Sequence, residues 1–250
     1  MPKLFVHGNP ETPALWRPLH QALAARGVRD FEALAPPGFG APVPEGFEAT
    51  REAYRDWLVK EIESRGGPVD LVGHDWGAGH VLGLVEHRPD LVRSWATDCA
   101  GLAHPDYVWH DMAQAWQTPD VGEAAIAEML DRPLPEKIEM LKTMGMPADV
   151  AKEIAAGQGP EMGRCVLALY RSAAQPVMKE LGERLVKGEK RPGHVFIAMD
   201  DPFTGTPEMC EAVALSLGAS TSQLPGRGHW WMFADLDPIV DALIGHWDGA

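Results

Sequence analysis

The chain alternates short apolar runs with longer segments in which apolar residues recur at helical spacing. The apolar runs predict six strands, at residues 3–6, 31–35, 68–72, 92–97, 194–199 and 219–224. The intervening periodicity predicts helices at 15–26, 50–65 and 78–87. Strands that alternate with helices form a mostly parallel sheet with helices on both faces. The sequence therefore predicts an α/β fold with a sheet of about six strands.

The alternation stops after the fourth predicted strand. From about residue 103 to residue 190 the chain has short helical runs, separated by prolines, and no strand pattern. Asp120 and Glu123 have the spacing of a capping box that would open one of these helices. We therefore predict a core formed by residues 1–102 and 191–250, with residues 103–190 inserted as an all-helical cap.

The composition and charge of the chain limit the kinds of molecule that the protein is expected to bind. A chain of 250 residues fits one domain with an inserted cap, and its net charge of −14 predicts a surface that repels nucleic acid and anionic membranes. No apolar run approaches the ~20 residues of a membrane span, and no secretory apolar region opens the chain. Three cysteines are too few for a disulfide framework. We expect a cytoplasmic protein, and the sequence does not predict its oligomeric state.

The turn after the third predicted strand carries a carboxylate between glycines. Residues 73–77 read Gly-His-Asp-Trp-Gly, which is the pattern of a nucleophile elbow with Asp75 in the place of the nucleophile. An aspartate is ionised at neutral pH and can attack without a base to deprotonate it. Attack on a saturated carbon would give an ester, whereas attack on an acyl carbon would give an anhydride. Asp75 therefore favours alkyl-group chemistry, and a serine esterase is not expected.

Other polar residues follow strands at the same predicted edge of the sheet. Residues 7–10 form a His-Gly-Asn-Pro turn, and His229 lies in a glycine-rich loop near the C-terminus, placed to act as a general base. Asp201 follows the strand at 194–199 and is the expected acid that orients His229. Asp98 follows the strand at 92–97 and is the alternative. The order nucleophile, acid, histidine is that of α/β-hydrolases.

Four segments carry a resemblance to a known family. The chain resembles the aspartate-nucleophile branch of the α/β-hydrolases, which contains haloalkane dehalogenases and epoxide hydrolases. Residues 7–17 are similar to the dehalogenase loop whose asparagine, here Asn9, helps to hold halide. Residues 74–77 occur in both families, residues 118–122 are similar to dehalogenase caps, and Tyr170 with Arg171 resembles a pair seen in both. The resemblance implies the α/β-hydrolase fold with a helical cap.

The resemblance also implies a mechanism with a covalent intermediate. Asp75 would displace a leaving group from carbon, and water activated by His229 would hydrolyse the resulting ester. The backbone N–H groups of Asn9 and Trp76 are the expected oxyanion hole. Their side chains are the expected halide donors, since a departing halide needs hydrogen bonds and no proton.

The leaving group separates the two candidate activities. Opening an epoxide produces an alkoxide, which needs a proton, and epoxide hydrolases take it from cap tyrosines. Tyr107 and Tyr170 are the candidates here, because Tyr54 lies on a predicted core helix. Epoxide hydrolases usually carry an apolar or aromatic residue where Asn9 stands. The sequence therefore favours a haloalkane dehalogenase, with an epoxide hydrolase as the alternative.

The remaining expectations concern the pocket and cofactors. We expect a small apolar substrate, water as co-substrate, no cofactor and no metal, although His74, Asp75 and His80 have a spacing compatible with metal ligands. His7 and His74 are expected to pack against backbone. A non-catalytic ligand-binding protein is the alternative from another class. Five residues are candidate pocket walls: Trp109, Met112, Trp116, Trp230 and Met232.

Overall fold

The computed structural model describes residues 1–250, and its centre is a parallel β-sheet. The strands are β1 (Lys3–Val6), β2 (Phe31–Leu34), β3 (Val69–Gly73), β4 (Val92–Thr97), β5 (Gly193–Ala198) and β6 (Ser220–Leu224). They lie in the order β2-β1-β3-β4-β5-β6, and every neighbouring pair is parallel. All six predicted strands are confirmed, with ends that move by at most one residue.

Eleven α-helices accompany the sheet. They are α1 (Arg17–Ala25), α2 (Arg51–Ser64), α3 (Trp76–His87), α4 (Asp111–Gln117), α5 (Val121–Asp131), α6 (Leu134–Thr143), α7 (Ala148–Gly157), α8 (Pro160–Ser172), α9 (Val177–Lys187), α10 (Pro207–Leu217) and α11 (Asp237–Gly249). The third begins two residues earlier than the periodicity predicts, because the elbow turn leads directly into it. None of these helices combines the length and hydropathy that crossing a membrane would require.

The sheet separates two apolar layers. Leu4 and Val6 of β1 belong to one layer, which includes Leu58 of α2. Phe5, between them, belongs to the other layer, which includes Leu243 of α11. Successive side chains of a strand point to opposite faces, so burial on both sides explains the apolar character of the inner strands, such as β1. The edge strands β2 and β6 are only partly buried and carry more polar residues.

The chain between β4 and β5 is helical, with α4 to α9 and no strand. Of these helices, α9 packs against α3, which itself packs on the sheet. The limits of the cap, 103 and 190, stay a prediction. The predicted capping box is wrong: Asp120 has a φ of +66° and its side chain makes no capping hydrogen bond. The carboxylate of Glu123 pairs with Arg171 of α8 at 2.8 Å.

Candidate active site

The turn between β3 and α3 presents Asp75 on a strained backbone. Asp75 has a φ of +51°, a conformation that a residue with a Cβ rarely adopts. The flanking glycines permit the tight packing that this turn needs. A Cβ on Gly77 would lie 1.9 Å from the carbonyl oxygen of Val6, and one on Gly73 would lie 2.7 Å from that of Gly77. The glycine-flanked pattern thus forms the sharp strand-to-helix turn that the sequence predicts.

The two carboxylate oxygens of Asp75 have different neighbours. Its Oδ1 accepts the backbone N–H of Asn9 at 2.7 Å. Its Oδ2 lies 3.7 Å from Nε2 of His229. Gly8 lies so close that a Cβ there would be 2.0 Å from Oδ1. Burial raises the pKa of Asp75 to about 6; the carboxylate of Glu11 acts in the same direction, and His229 acts against it.

His229 is oriented by one of the two candidate acids. Its Nδ1 lies 2.8 Å from Oδ2 of Asp201, whose Oδ1 accepts the N–H of Phe203 at 2.8 Å. A carboxylate only accepts, so Nδ1 carries a proton, and Nε2 is the nitrogen that faces Asp75. Burial lowers the pKa of His229, but the hydrogen bond and charge of Asp201 raise it more, and the net pKa lies above its ordinary value.

The other candidate acid, Asp98, serves a different histidine. Its Oδ2 hydrogen-bonds Nδ1 of His74 and accepts the indole N–H of Trp231 at 2.7 Å. Its Oδ1 accepts the backbone N–H of Asp75 at 3.1 Å. His74 was expected to pack against backbone, and that expectation is wrong because both of its ring nitrogens face carboxylates, the second being that of Glu11.

Glu11 is the residue of this region that the sequence analysis missed. It is fully buried and accepts the N–H of Gly8 at 3.1 Å, the indole N–H of Trp230 at 2.7 Å, and Nε2 of His74 at 3.2 Å. Burial opposes ionisation, yet the adjacent His74 lowers the pKa of Glu11 to about 2. The one available signal is its place three residues after Gly8, where a carboxylate can turn back onto the loop N–H.

A cavity of about 300 Å³ opens onto Asp75 and His229. Its wall is mostly apolar, as small-molecule sites usually are, and includes four methionines. It also contains charged residues that the sequence analysis did not anticipate. The methionines are Met112, Met129, Met140 and Met144, and the charged residues are Glu128, Arg132 and Lys137.

The predicted wall residues divide into two groups. Met112, Trp116 and Trp230 line the cavity, whereas Trp109 and Met232 do not. The indole N–H of Trp109 donates to the backbone carbonyl of Ala173 at 3.2 Å, and the residue is buried. Met232 is fully buried in the apolar layer that contains Phe5 and Leu243. Long-range packing, which the local pattern does not encode, decides these two outcomes.

Of the two side chains expected to donate to halide, only one lines the cavity. Asn9 lines the cavity, and neither polar atom of its buried side chain makes a hydrogen bond with the protein. Trp76 does not line the cavity, because Trp109 stacks on it with ring centres 5.7 Å apart and Tyr170 lies edge-on at 5.2 Å. Of the two expected backbone donors, only Asn9 hydrogen-bonds Asp75.

The two candidate tyrosines also differ in whether they line the cavity. Tyr170 lines the cavity; burial raises its pKa, while the adjacent side chains of Asn9 and Trp76 partly offset that rise. Tyr107 does not line the cavity, and its hydroxyl donates to the carbonyl of Phe203 at 2.8 Å. Of the two candidate proton donors, therefore, only Tyr170 lines the cavity that contains Asp75.

The three residues with metal-like spacing are not brought together. His80 stacks on Tyr54 at 4.8 Å, and burial lowers the pKa of His80 to about 3. Glu11, His74 and His229 do bring ligand atoms within 4.8 Å of one another. Both nitrogens of His74 already hydrogen-bond carboxylates, so this group would have to give up those bonds to hold a metal.

Comparison with known proteins extends these observations to a family. Residues 4–242 match the model described as "Alpha/beta hydrolase family". A haloalkane dehalogenase of Bradyrhizobium diazoefficiens is 25% identical over 280 aligned residues, which cover 98% of this chain and 86% of that protein. An epoxide hydrolase of Caballeronia sordidicola is 35% identical over 96 residues, which cover 36% of this chain and 28% of that protein.

Solved structures agree on the fold. The haloalkane dehalogenase DbeA from Bradyrhizobium elkani superposes with a TM-score of 0.73 at 22% identity, covering 100% of this chain and 91% of its own. At that identity the likeness concerns the fold alone. The family model, in contrast, spans nearly all of the sequence, including both the elbow and the histidine loop. The chain therefore belongs to the alpha/beta hydrolase family and is a hydrolase.

Proposed function

We propose that this hydrolase cleaves the carbon–halogen bond of small haloalkanes through a covalent ester on Asp75. The observation that carries the proposal is the line of three groups: the Asp75 carboxylate, His229 with Nε2 at 3.7 Å from it, and Asp201 on Nδ1 of that histidine. The alignment with a haloalkane dehalogenase over 98% of the chain supports the choice of halide.

In the first step an oxygen of Asp75 attacks carbon. Oδ1 already accepts the N–H of Asn9, so Oδ2, which accepts no hydrogen bond, is the attacking oxygen. The new C–O bond forms as the carbon–halogen bond breaks, and the halide leaves with the electron pair. The side-chain amide of Asn9, which has no partner in the protein, donates to the departing halide.

In the second step water hydrolyses the ester. Water gives a proton to Nε2 of His229 and attacks the carboxyl carbon of Asp75. Negative charge develops on Oδ1, where the Asn9 N–H already donates. Collapse of this intermediate breaks the bond between the carboxyl carbon and Oδ2, and that oxygen leaves with the alkyl group as the alcohol after taking the proton from His229. The carboxylic acid left on Asp75 then ionises and releases one proton. Asp201 stabilises the imidazolium that forms. The sum is haloalkane plus water giving alcohol, halide and a proton.

An epoxide hydrolase is the second candidate, and one observation favours it. Tyr170 lines the cavity beside Asn9, so its phenol can protonate the alkoxide of an opened epoxide. The expected second donor, Tyr107, does not line the cavity, and its hydroxyl donates to the carbonyl of Phe203. Because epoxide hydrolases typically use two cap tyrosines, this activity ranks behind dehalogenation.

The test combines a substrate panel with a trapped intermediate. The enzyme is incubated with 1-bromobutane, with 1,2-dibromoethane and, in parallel, with styrene oxide, and halide, acid and diol are measured. The variant His229→Gln is then treated with each substrate and digested for mass spectrometry. We expect halide release, and an alkyl adduct on the peptide that carries Asp75. Diol from styrene oxide without halide release would instead support the epoxide hydrolase.

Labelled water provides an independent check. Repeated turnover in oxygen-18 water should place the label in the carboxyl group of Asp75, because water attacks that carbon. Asp75→Asn is the matched control and should form neither product nor adduct. Absence of adduct and label with both substrate classes would refute the covalent mechanism and favour a non-catalytic ligand-binding protein.

A further inference from the structure

A second histidine lies behind the catalytic one, between two carboxylates. Nδ1 of His74 hydrogen-bonds Asp98, and its Nε2 lies 3.2 Å from Oε1 of Glu11. His74 and Glu11 are fully buried, and Asp98 is 2% exposed. The ring centre of His74 is 4.7 Å from that of His229. This group therefore lies directly against the reacting residues and is shielded from solvent.

The hydrogen bonds determine where the protons are. An ionised carboxylate only accepts hydrogen bonds, and a neutral imidazole has a single N–H. The only acceptor that either carboxyl group faces is a nitrogen of His74, so each shared proton lies either on that nitrogen or on the carboxyl group. Each carboxyl group also accepts two further N–H hydrogen bonds, which stabilise its ionised form, so we assign both protons to His74. The donors are Gly8, Trp230, Asp75 and Trp231.

We propose that His74 is a permanent imidazolium and that Glu11, His74 and Asp98 form a buried ionic bridge that positions the reacting loops. The catalytic part of this inference rests on the proposed function. The protonation state does not, because it concerns the hydrogen bonds of these three side chains and involves no substrate.

The bridge reaches each of the three loops. Asp98 accepts the N–H of Asp75 and so supports the strained elbow. Glu11 accepts the N–H of Gly8, which precedes the Asn9 that bonds Asp75. Glu11 also accepts the indole N–H of Trp230, and Asp98 accepts that of Trp231, so both carboxylates hold the segment that follows the catalytic histidine.

The two histidines therefore have opposite roles. His229 has one carboxylate on Nδ1 and an Nε2 free of hydrogen bonds, so it can take a proton from water. His74 has a carboxylate on each nitrogen and no lone pair to offer. Burial lowers the pKa of His74, but the two carboxylates raise it well above its ordinary value, in agreement with the geometry.

Nitrogen-15 NMR of the histidine rings tests the protonation state without any substrate. From about pH 6 to about pH 9, a range that spans the titration of an ordinary histidine, both ring nitrogens of His74 should stay protonated while His229 titrates. The His229→Gln variant assigns the titrating signal. A His74 ring that titrates in this range, or that carries one proton, overturns the proposal.

The variant Glu11→Gln tests positioning. It keeps the size of the side chain but removes one charge, and we expect kcat to fall roughly 10- to 100-fold with a smaller change in KM, as for misaligned catalytic groups. Loss of a negative charge beside His74 should also lower the pKa of His229 in the NMR titration, which a purely mechanical role would not do. The matched control, Glu139→Gln, removes an exposed carboxylate and should change neither quantity.

The outcomes separate the two proposals. If the wild-type enzyme turns over neither halides nor epoxides but His74 stays protonated, the proposed function fails and the ionic bridge stands. If Glu11→Gln leaves kcat and the pKa of His229 unchanged, the positioning role is refuted. If that variant does not fold, the titration of the wild-type enzyme still decides the protonation state, and Asp98→Asn replaces it in the kinetic test.

Discussion

Nε2 of His229 lies 3.7 Å from Oδ2 of Asp75. This separation is longer than a hydrogen bond, so the histidine does not occupy the oxygen that we propose as the attacking atom. The histidine still faces the carboxyl group, which is where a base must stand to activate water against an ester on that group. The same placement thus suits both proposed steps.

The first prediction concerns the acid. Asp201→Asn should slow ester hydrolysis by about 10⁴-fold, the loss seen when the orienting carboxylate of a catalytic histidine is replaced by an amide. Ester formation should slow much less, because attack by Asp75 needs no base. Rapid quenching followed by mass spectrometry should then detect the alkyl-enzyme accumulating in Asp201→Asn.

Asp98→Asn is the comparison variant. It weakens the ionic bridge and one support of the elbow, so both steps should slow and the ester should not accumulate selectively. Selective accumulation of ester in Asp98→Asn, with normal hydrolysis in Asp201→Asn, would reverse the assignment of the acid.

The second prediction concerns pH. Ester formation requires ionised Asp75, whose pKa is raised by burial to about 6, so the rate of this step should fall as the pH drops through about 6. Ester hydrolysis requires neutral His229. In the free enzyme burial lowers the pKa of this histidine, while Asp201 and the negative Asp75 raise it. Esterification removes the charge of Asp75, so the pKa of His229 should be lower in the alkyl-enzyme than in the free enzyme.

Single-turnover kinetics and NMR measure the pKa of His229 in the alkyl-enzyme and in the free enzyme. The pH dependence of ester hydrolysis gives the pKa of His229 in the intermediate, and NMR titration gives the pKa in the free enzyme. Equal values, or a higher value in the intermediate, would contradict a direct interaction between the two groups.

Much of the architecture could be predicted from local pattern. Strands buried on both faces appear as short apolar runs, and glycines mark the sharp turn at Asp75, because no other residue fits those contacts. Polar residues after parallel strands meet at one edge of the sheet. For this reason Asp75, His229 and Asp201 could be grouped before any distance was known.

The features that the local pattern left open or missed depend on distant contacts. Asp201 was the expected partner of His229 and Asp98 the alternative, because the choice depends on side-chain directions at two strand ends, which sequence spacing does not specify. The covering of Trp76 by Tyr170 depends on how α8 packs over the elbow. Glu11 was missed because two of its three partners, His74 and Trp230, lie 63 and 219 residues away along the chain.

The third prediction separates the candidate substrates. Tyr170→Phe removes the phenol that lines the cavity but keeps the ring against Trp76. Halide release should change less than threefold or so, since a halide needs no proton. Any turnover of styrene oxide should fall at least about 100-fold, the typical contribution of a positioned general acid. Both rates are measured under identical conditions.

Tyr107→Phe is the matched control. Its hydroxyl bonds the carbonyl of Phe203 and does not line the cavity, so this variant should lose some stability but leave both rates per folded molecule nearly unchanged. A larger loss of halide release in Tyr170→Phe than in Tyr107→Phe would indicate that the phenol, and not only the Asn9 amide, solvates the departing halide.

The fourth prediction is that the proposed nucleophile destabilises the fold. Burial raises the pKa of Asp75 from 3.8 to about 6, which means that the folded state disfavours its charged form. The stability associated with this group is present at low pH and is lost as the pH rises through about 6. Asp75→Asn removes the charge, so it should increase the free energy of unfolding at neutral pH by about 1–3 kcal/mol.

Chemical denaturation at two pH values measures this effect. The gain from Asp75→Asn should be present at about pH 7.5 and largely absent at about pH 4, where wild-type Asp75 is protonated in the folded state. Asp120→Asn is the matched control, since Asp120 also has a positive φ but is exposed. It should give no gain at either pH, because its charge is already solvated. A gain of equal size in both variants would trace the effect to backbone strain, and no gain in Asp75→Asn would mean that the buried charge is fully compensated by its neighbours.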